Sequence, residues 1–454
     1  MKILILSCNT GEGHNAAGKA IREAAIRCGH TADMLDMFLL SGKKTSHAVG
    51  GAYVELVKHM PHAFGMLYKI GMAISSNKHK SPVYYANALM AKKLAACLSQ
   101  HDYDIIVTPH LYPAETLTYM KKKGMLQIPA AAIGTDYTCI PFWEETDLDA
   151  YFLPHEDCVS EYVHRGIPAD RLYPYGIPVS GAFSPAKDRI LAKMHARNAL
   201  NLPQGVPICL VMSGSMGFGK LAIFAAELSL RLKCCEHMVI ICGNNKRIYA
   251  ILQKQFQNNP RVHILGYTNR VADYMDACDV IFTKPGGLTS TEALVKRIPI
   301  VHTAPIPGCE TANRNFFVKR HLSVSSKYIA KQITLGKRLL SDTQDPHGNR
   351  SLREEMLLAQ KENGKPDAAV HIIKTLEQLW RIFFLSFLEL FLEVHSLLTG
   401  FQDYFSKPTS QKFHPTTIPA LQMPTCRPAF LPELSPCSVN FSKALSRFFL
   451  QAGS

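Results

Sequence analysis

Twice along the chain an apolar run of strand length ends in a glycine-rich turn that opens directly into a helix-forming segment. The first run is Lys2–Cys8, closed by Gly11 and Gly13 and followed by the helical stretch Asn15–Cys28. The second is Pro207–Met212, closed by Ser213-Gly214-Ser215-Met216-Gly217-Phe218-Gly219 and followed by a helix to about Lys233. A strand, a tight turn and a helix in this order open a parallel α/β sheet, because parallel neighbours need a crossover between them. The rhythm continues after each opening. Thr31–Met37, Asp104–His110, Ile128–Asp136 and Leu148–His155 read as strands of a first unit. Met238–Cys242, Val262–Leu265, Asp279–Thr283 and Ile298–His302 read as strands of a second. The turn-rich Tyr175–Gly181 stretch separates them as a linker. Two similar α/β domains facing one another are expected, with ligands beyond the carboxyl ends of the strands.

At 454 residues the chain accommodates two or three domains, and an apolar content of 47% excludes wholesale disorder. The formal charge of +14 favours an anionic partner: phosphate, nucleic acid or a membrane surface. No nucleic-acid-binding motif accompanies it, so nucleic acid is not expected. The 13 cysteines form no CxxC pair and no Cys/His cluster of zinc spacing, which fits free thiols in a reducing cytosol. The apolar run at the start is shorter than the roughly 7–15 residues of a signal-peptide core, and it reads as a buried first strand.

Two stretches depart from the α/β rhythm. Residues 42 to 98 are mostly helical and carry Lys43, Lys44, Lys58, Lys69, Lys78 and Lys80, a basic series that suits either a solvated helical face or an anionic surface. Leu379–Leu398 is dense in Phe and Leu, but Arg381, Glu389, Glu393 and His395 interrupt it. A membrane-spanning helix wants about 20 apolar residues with few charges. From Lys407 to Pro436 the chain is rich in Pro, Ser and Thr, with Glu433 the sole acid, and it reads as poorly ordered. The expected organisation is residues 1–178, 179–378 and a tail over 379–454.

Four loops at strand ends carry residue types suited to chemistry. In Thr283-Lys284-Pro285-Gly286-Gly287-Leu288-Thr289-Ser290-Thr291-Glu292, the glycines let a ligand approach the backbone, and a following helix N-terminus favours a phosphate. Thr289 or Ser290 is expected to cap that helix, with Glu292 in its first turn, where a carboxylate can accept from a ribose diol. The plain alternative is a capped turn in which Glu292 only complements the helix dipole. Pro307-Gly308-Cys309-Glu310-Thr311-Ala312-Asn313 follows the next strand and suits hydroxyl recognition. The 213–219 loop fails the dinucleotide spacing, which disfavours a nicotinamide enzyme. The fourth loop, Asn9-Thr10-Gly11-Glu12-Gly13-His14-Asn15, places a histidine at the expected cleft, and histidine is the usual base near neutral pH. Asp136, in Gly134-Thr135-Asp136-Tyr137, is a second candidate base.

These segments, in this order, resemble the glycosyltransferase family 28 group, and within it the monogalactosyldiacylglycerol synthases and processive diacylglycerol glucosyltransferases. The amino half carries the resemblance through Gly11–Asn15 and Thr135-Asp136-Tyr137 to Trp143. The carboxyl half carries it through Ser213–Gly219, Lys284–Leu294 and Pro307–Asn313. The resemblance covers roughly residues 1 to 378. It implies a GT-B fold, two Rossmann-like domains facing across a cleft. A UDP-hexose would bind the carboxyl domain, and diacylglycerol or a related lipid acceptor the amino domain.

Carried over by position, His14 and Asp136 are the catalytic candidates. Gly214, Gly217, Gly286, Gly287 and Thr289 would lie at the diphosphate end of the donor. Glu292 would hold the ribose, and Glu310 and Asn313 the sugar hydroxyls. Gly13, with Lys43, Lys44, Lys58 and Lys69, would serve the acceptor and an anionic membrane surface. Many members have Gln before the residue equivalent to Glu310, whereas this chain has Cys309, so the motif leaves glucose and galactose open. The implied reaction is a single inverting displacement needing no metal and no cofactor, by a cytoplasmic protein peripheral on the membrane. Three alternatives share parts of this pattern: a UDP-N-acetylglucosamine transferase to a peptidoglycan lipid intermediate, a GT-B epimerase, and a non-catalytic protein that binds UDP-sugars or membranes. The Thr135-to-Trp143 stretch and the basic insertion favour the diacylglycerol group.

Overall fold

The computed structural model describes residues 1–8, 12–42, 61–76, 80–212, 221–341 and 350–406. Met1–Phe383 form one compact unit and Phe384–Ser454 a second. The first unit holds two parallel sheets. One contains β1 (Lys2–Ser7), β2 (Thr31–Asp36), β3 (Ile105–Thr108), β4 (Ala130–Ile133), β5 (Ala150–Phe152) and β6 (Leu172–Tyr173). The other contains β7 (Ile208–Met212), β8 (His237–Ile241), β9 (Val262–Leu265), β10 (Val280–Thr283), β11 (Ile300–His302) and β12 (Val324–Ser325). All ten strands expected from the sequence form. The two additions, β6 and β12, are two-residue strands at sheet edges, too short to leave an apolar run.

Strand order explains where ligands can sit. The second sheet runs β12-β11-β10-β7-β8-β9, the doubly wound arrangement with its switch point between β7 and β10. The first runs β2-β1-β3-β4-β5-β6, with its switch point between β1 and β3. Among the described residues it has no counterpart of β9 beyond β2. Between β2 and β3 the described chain instead forms the 3-10 turn Met37–Ser41 and the helices Pro61–Ile74, Pro82–Ala88 and Ala91–Ser99.

Burial follows from strand geometry. In β1, Ile3, Leu4, Ile5 and Leu6 are all buried, as parallel strands covered on both faces require. Successive side chains point to opposite faces. Leu4 and Leu6 pack with Ile106, Leu117 and Tyr151, while Ile3 and Ile5 pack with Ile21, Ala24 and Phe152. In β7, Ile208 and Leu210 likewise join one core cluster, and Cys209 and Val211 another. Each fully buried aliphatic side chain contributes roughly 1.5–3 kcal/mol.

After the second sheet the chain returns to the first. The helix Ala368–Ser406 places Ala369, Ile372, Ile373 and Leu376 against the Ile3–Ile5 face. Their spacing is that of one helical stripe. Glu377 on the same helix accepts a 2.6 Å hydrogen bond from His30. The apolar part of the expected tail is therefore helical through Ser406. The poorly ordered stretch expected after it, residues 407–436, lies outside the described residues. Among the described residues no helix is long and apolar enough to cross a membrane. The described cysteines are free thiols.

Candidate active site

At the first switch point the turn after β1 enters the helix Glu12–Arg27, and the end of β3 supplies Pro109 and His110. His14 Nδ1 lies 2.9 Å from the Pro109 carbonyl oxygen and 3.0 Å from Thr135 Oγ1. A carbonyl only accepts, so Nδ1 carries the proton and Nε2 keeps a lone pair. The His110 ring meets His14 edge-on, with centroids 4.5 Å apart. Burial lowers the His14 pKa, against the opposing pulls of Asp136 and the Pro109 hydrogen bond. Burial, aided by His14, pushes that of His110 well below the usual value. Both imidazoles are neutral near pH 7.

At the second switch point β10 ends in Lys284-Pro285-Gly286, and Gly287 opens the helix Gly287–Lys296. This corrects the expected start. Gly286, not Thr289 or Ser290, is the N-cap, with no side-chain cap bond, because the helix begins at Gly287. Thr289 thus lies in the first turn and Glu292 in the second. Ser290 points into the core, where its hydroxyl and that of Ser323 each lie 3.0 Å from a ring nitrogen of His302. Burial lowers the His302 pKa to about 3, so the ring stays neutral.

The strand ends of the two sheets meet directly. A Cβ on Gly287 would fall 1.8 Å from the Thr135 carbonyl oxygen, so the approach demands glycine. One on Gly13 would make ordinary contact with Leu288, 3.8 Å away. Thr291 Oγ1 donates to the Gly287 carbonyl at 2.7 Å and accepts from the Tyr137 hydroxyl at 2.8 Å. Asn313 is fully buried. Its Oδ1 accepts from the Tyr137 N–H at 2.7 Å, and its Nδ2 donates to Asp136 Oδ1 at 2.8 Å and to the Pro285 carbonyl at 3.2 Å. One amide therefore joins loops from both sheets.

The carboxylates differ in their surroundings. Glu310 opens the helix Cys309–Lys319, pairs with Lys284 and accepts from the Ile306 N–H at 2.8 Å. Gly308 precedes that helix at φ 114°, a left-handed backbone suited to glycine. Glu292 is 9% exposed, and burial pushes its carboxyl up to about 8. A carboxyl kept largely protonated at neutral pH suits a ligand that brings its own hydrogen-bonding groups.

Gly214, Gly217, Lys43, Lys44, Lys58 and Lys78 lie outside the described residues. Lys69 is exposed on the helix Pro61–Ile74. Lys80 is half-buried, donating to the Glu145 carbonyl at 2.6 Å, and burial lowers its pKa. His110, Lys284 and the pair Tyr137–Thr291 were not singled out by sequence reasoning. Strand-end position was the available signal for His110 and Lys284, whereas the Tyr137–Thr291 bond joins residues too far apart in sequence to pair without the fold.

Two parallel six-stranded sheets with apposed strand ends define a GT-B architecture. Solved structures with this fold include MurG from Acinetobacter baumannii, at TM-score 0.54 and 14% identity over 83% of this chain and 99% of that one. UDP-GlcNAc 2-epimerase from Neisseria meningitidis matches at TM-score 0.55 and 15% identity over 83% of this chain and all of that one. Sequence places the chain more narrowly. Residues 14–179 match the monogalactosyldiacylglycerol synthase model, and residues 208–372 match the glycosyltransferase family 28 C-terminal domain. The chain belongs to this glycosyltransferase family. A processive diacylglycerol beta-glucosyltransferase from Staphylococcus carnosus is 26% identical over 78% of this chain and 88% of its own length. Monogalactosyldiacylglycerol synthase 1 from Arabidopsis thaliana is 27% identical over 84% of this chain and 71% of its own.

Proposed function

We propose that the protein transfers a hexose from a UDP-sugar to diacylglycerol, with inversion, in glycolipid synthesis. The observation that carries this reading is the His14 tautomer. Its Nδ1–H is held by the Pro109 carbonyl, so Nε2 is the atom left to take a proton, beside the helix that opens at Gly287. The acceptor hydroxyl gives its proton to Nε2 as its oxygen attacks the anomeric carbon. The C–O bond to the diphosphate breaks on the opposite face. Charge growing on the leaving diphosphate meets the N-terminus of the Gly287–Lys296 helix, while Lys284 stays paired with Glu310. In this reading the helix terminus takes the part that a metal ion would otherwise play. Glu292 holds the ribose diol and Glu310 meets the sugar, whereas Asn313, expected from the sequence to hold sugar hydroxyls, is buried with its amide bonded to Tyr137, Asp136 and Pro285 and positions those loops instead.

The acceptor resides in a bilayer, and the helix Pro61–Ile74 suits contact with one. Met66, Ile70 and Ile74 are 61%, 45% and 53% exposed at helical spacing, with Lys69 exposed among them. Gly71 lies on the inward side, where a Cβ would come within about 3 Å of Phe142 and Pro141. Apolar anchors flanked by a cation are the pattern of a peripheral amphipathic helix. Incubating the protein with labelled UDP-glucose or UDP-galactose and diacylglycerol-containing vesicles, with and without chelator, tests the whole reading. Glycolipid formed in both conditions is expected. No transfer from either donor, or transfer abolished by chelation and restored by a divalent cation, contradicts it.

A further inference from the structure

On the face of the Cys309–Lys319 helix turned away from Asn313 lies a cavity of about 370 Å³. Arg314, Asn315 and Lys319 of that helix line one wall, and Ser325, Ser326 and Lys327, at the end of β12 and just beyond, line the other. The cavity holds three cations and no acid. Among the described residues the Arg314 guanidinium bonds the neutral Asn315 side chain, Nε at 3.3 Å and Nη2 at 2.9 Å from Oδ1. Lys327 Nζ sits 5.0 Å from the Tyr328 ring centroid. None of the three cations pairs with a carboxylate among the described residues. Like charges gathered without a counter-charge repel one another, and an anion between them relieves that repulsion.

The backbone also shapes the cavity. Ser326 begins the turn into the helix Ile329–Ser341. Its Oγ accepts from the Tyr328 N–H at 3.2 Å, and its carbonyl accepts from Gln332 Nε2 at 2.6 Å. The turn that leads into that helix therefore borders the cavity, which also stands at the carboxyl edge of the sheet.

We propose that this cavity is an anion site that takes a phosphoryl group, separate from Glu292, Glu310 and Asn313. A phosphoryl group matches the donor set. Its oxygens accept from the planar Arg314 fork while Lys319 and Lys327 neutralise the remaining charge. The phosphoryl group can come from an anionic lipid headgroup or from a soluble phosphate compound, and the chemistry of capture is the same.

Titration calorimetry of inorganic phosphate into the full chain tests the proposal. Arg314→Gln with Lys327→Gln is expected to weaken binding about tenfold or more, since charge-assisted hydrogen bonds are the strong ones. Arg314→Lys should keep most of the affinity. Lys327→Gln alone changes one exposed side chain that holds no hydrogen bond among the described residues, so its smaller loss is readable even if the double variant misfolds. Vesicles of phosphatidylcholine with and without phosphatidylglycerol identify the source. Loss of both phosphate and phosphatidylglycerol binding in the variants points to a lipid headgroup, and loss of phosphate binding alone points to a soluble compound. A wild-type chain without phosphate binding, or variants with unchanged isotherms, overturn the proposal.

Discussion

In the second sheet, β8 ends at Ile241 and the next strand begins at Val262, beyond one short helix. In the first, β2 ends at Asp36 and the next strand begins only at Ile105. Among the described residues between them the first sheet has no further strand, and the chain there includes the helix Pro61–Ile74. The strand ends differ as well. Those of the first sheet present the titratable His14, His110 and Asp136. Those of the second present Gly286, Gly287, Lys284 and a helix N-terminus, a surround that favours negative charge. In the proposed reaction one switch point serves the nucleophile and the other the leaving group. The residues that join them, Gly287 against Thr135 and Asn313 against Asp136, make the separation useful.

The sharpest way to break that division is His14→Ala. Transfer should fall by about 10²–10⁴, the usual contribution of a general base, while UDP affinity stays within about twofold. Wild-type transfer should hold down to pH 6.5 and decline only below it, because the buried imidazole takes its proton later than a free one. Equal losses of transfer and UDP binding would put His14 on the donor side. Asp136→Asn is the companion measurement. Its carboxylate accepts from Asn313, so a deep loss there with a mild one at His14 reverses the two assignments.

A smaller effect is expected across the cleft. Glu292→Gln should weaken UDP by roughly 10- to 100-fold, as for a charge-assisted hydrogen bond. The gap between wild type and variant should widen as pH rises toward 8 and then level. The Glu292 proton must leave before the carboxylate can accept from the ribose, and burial holds it to about 8. A gap that is constant from pH 6 to 9 would return Glu292 to a structural role.

The extra helices of the first sheet give the third comparison. Replacing Met66, Ile70 and Ile74 together with serine should reduce vesicle binding about tenfold or more, since each buried apolar side chain contributes about 1.5–3 kcal/mol. Neutralising Lys69 should have a weaker effect that disappears at high salt. Unchanged flotation of the triple variant with lipid would move the docking surface elsewhere.

The smallest effect concerns a buried carboxyl with no part in the proposed chemistry. Glu115 accepts from Asn87 Nδ2, but its Oε1 has no partner, and burial pushes its pKa to about 8. The unfolded chain gives up this proton first, so the folded state loses stability as pH rises from about 4.5 to 8. Glu115→Gln should therefore stabilise the fold increasingly as pH rises from about 4.5 to 8 and by nothing near pH 4.5, read as the shift in thermal midpoint. A gain that does not change with pH would mean that the buried proton is not its source.

Much of this arrangement was legible in the sequence, for a physical reason. Parallel strands covered on both faces are continuous apolar runs, and Ile3–Leu6 and Ile208–Val211 announce themselves. Leu172-Tyr173 and Val324-Ser325 form strands only because a neighbouring edge offers them hydrogen bonds, which no local pattern records. The glycine-bearing turns located the site, but the cap at Gly286 was misread because Thr289 and Ser290 are better capping residues in isolation. Burial of charge was hidden altogether. Glu115 and Glu145 look like surface residues until packing encloses them. Lys80 reads as one of a basic series, yet its ammonium is turned to the Glu145 carbonyl.

The returning helix carries a consequence for synthesis and for fragments. Ala369, Ile372, Ile373 and Leu376 complete the cover of the face of the sheet that Ile3 and Ile5 begin, so the opening strand leaves the ribosome long before that cover is whole. Until residue 376 emerges, that apolar face has only the helix Glu12–Arg27 as its helical cover, and the second sheet must be threaded and collapsed in the interval. Nascent chains halted before the helix should therefore engage chaperones through the first sheet rather than the second. An amino-terminal piece cut at the linker should be soluble only when the 368–383 segment is supplied in trans.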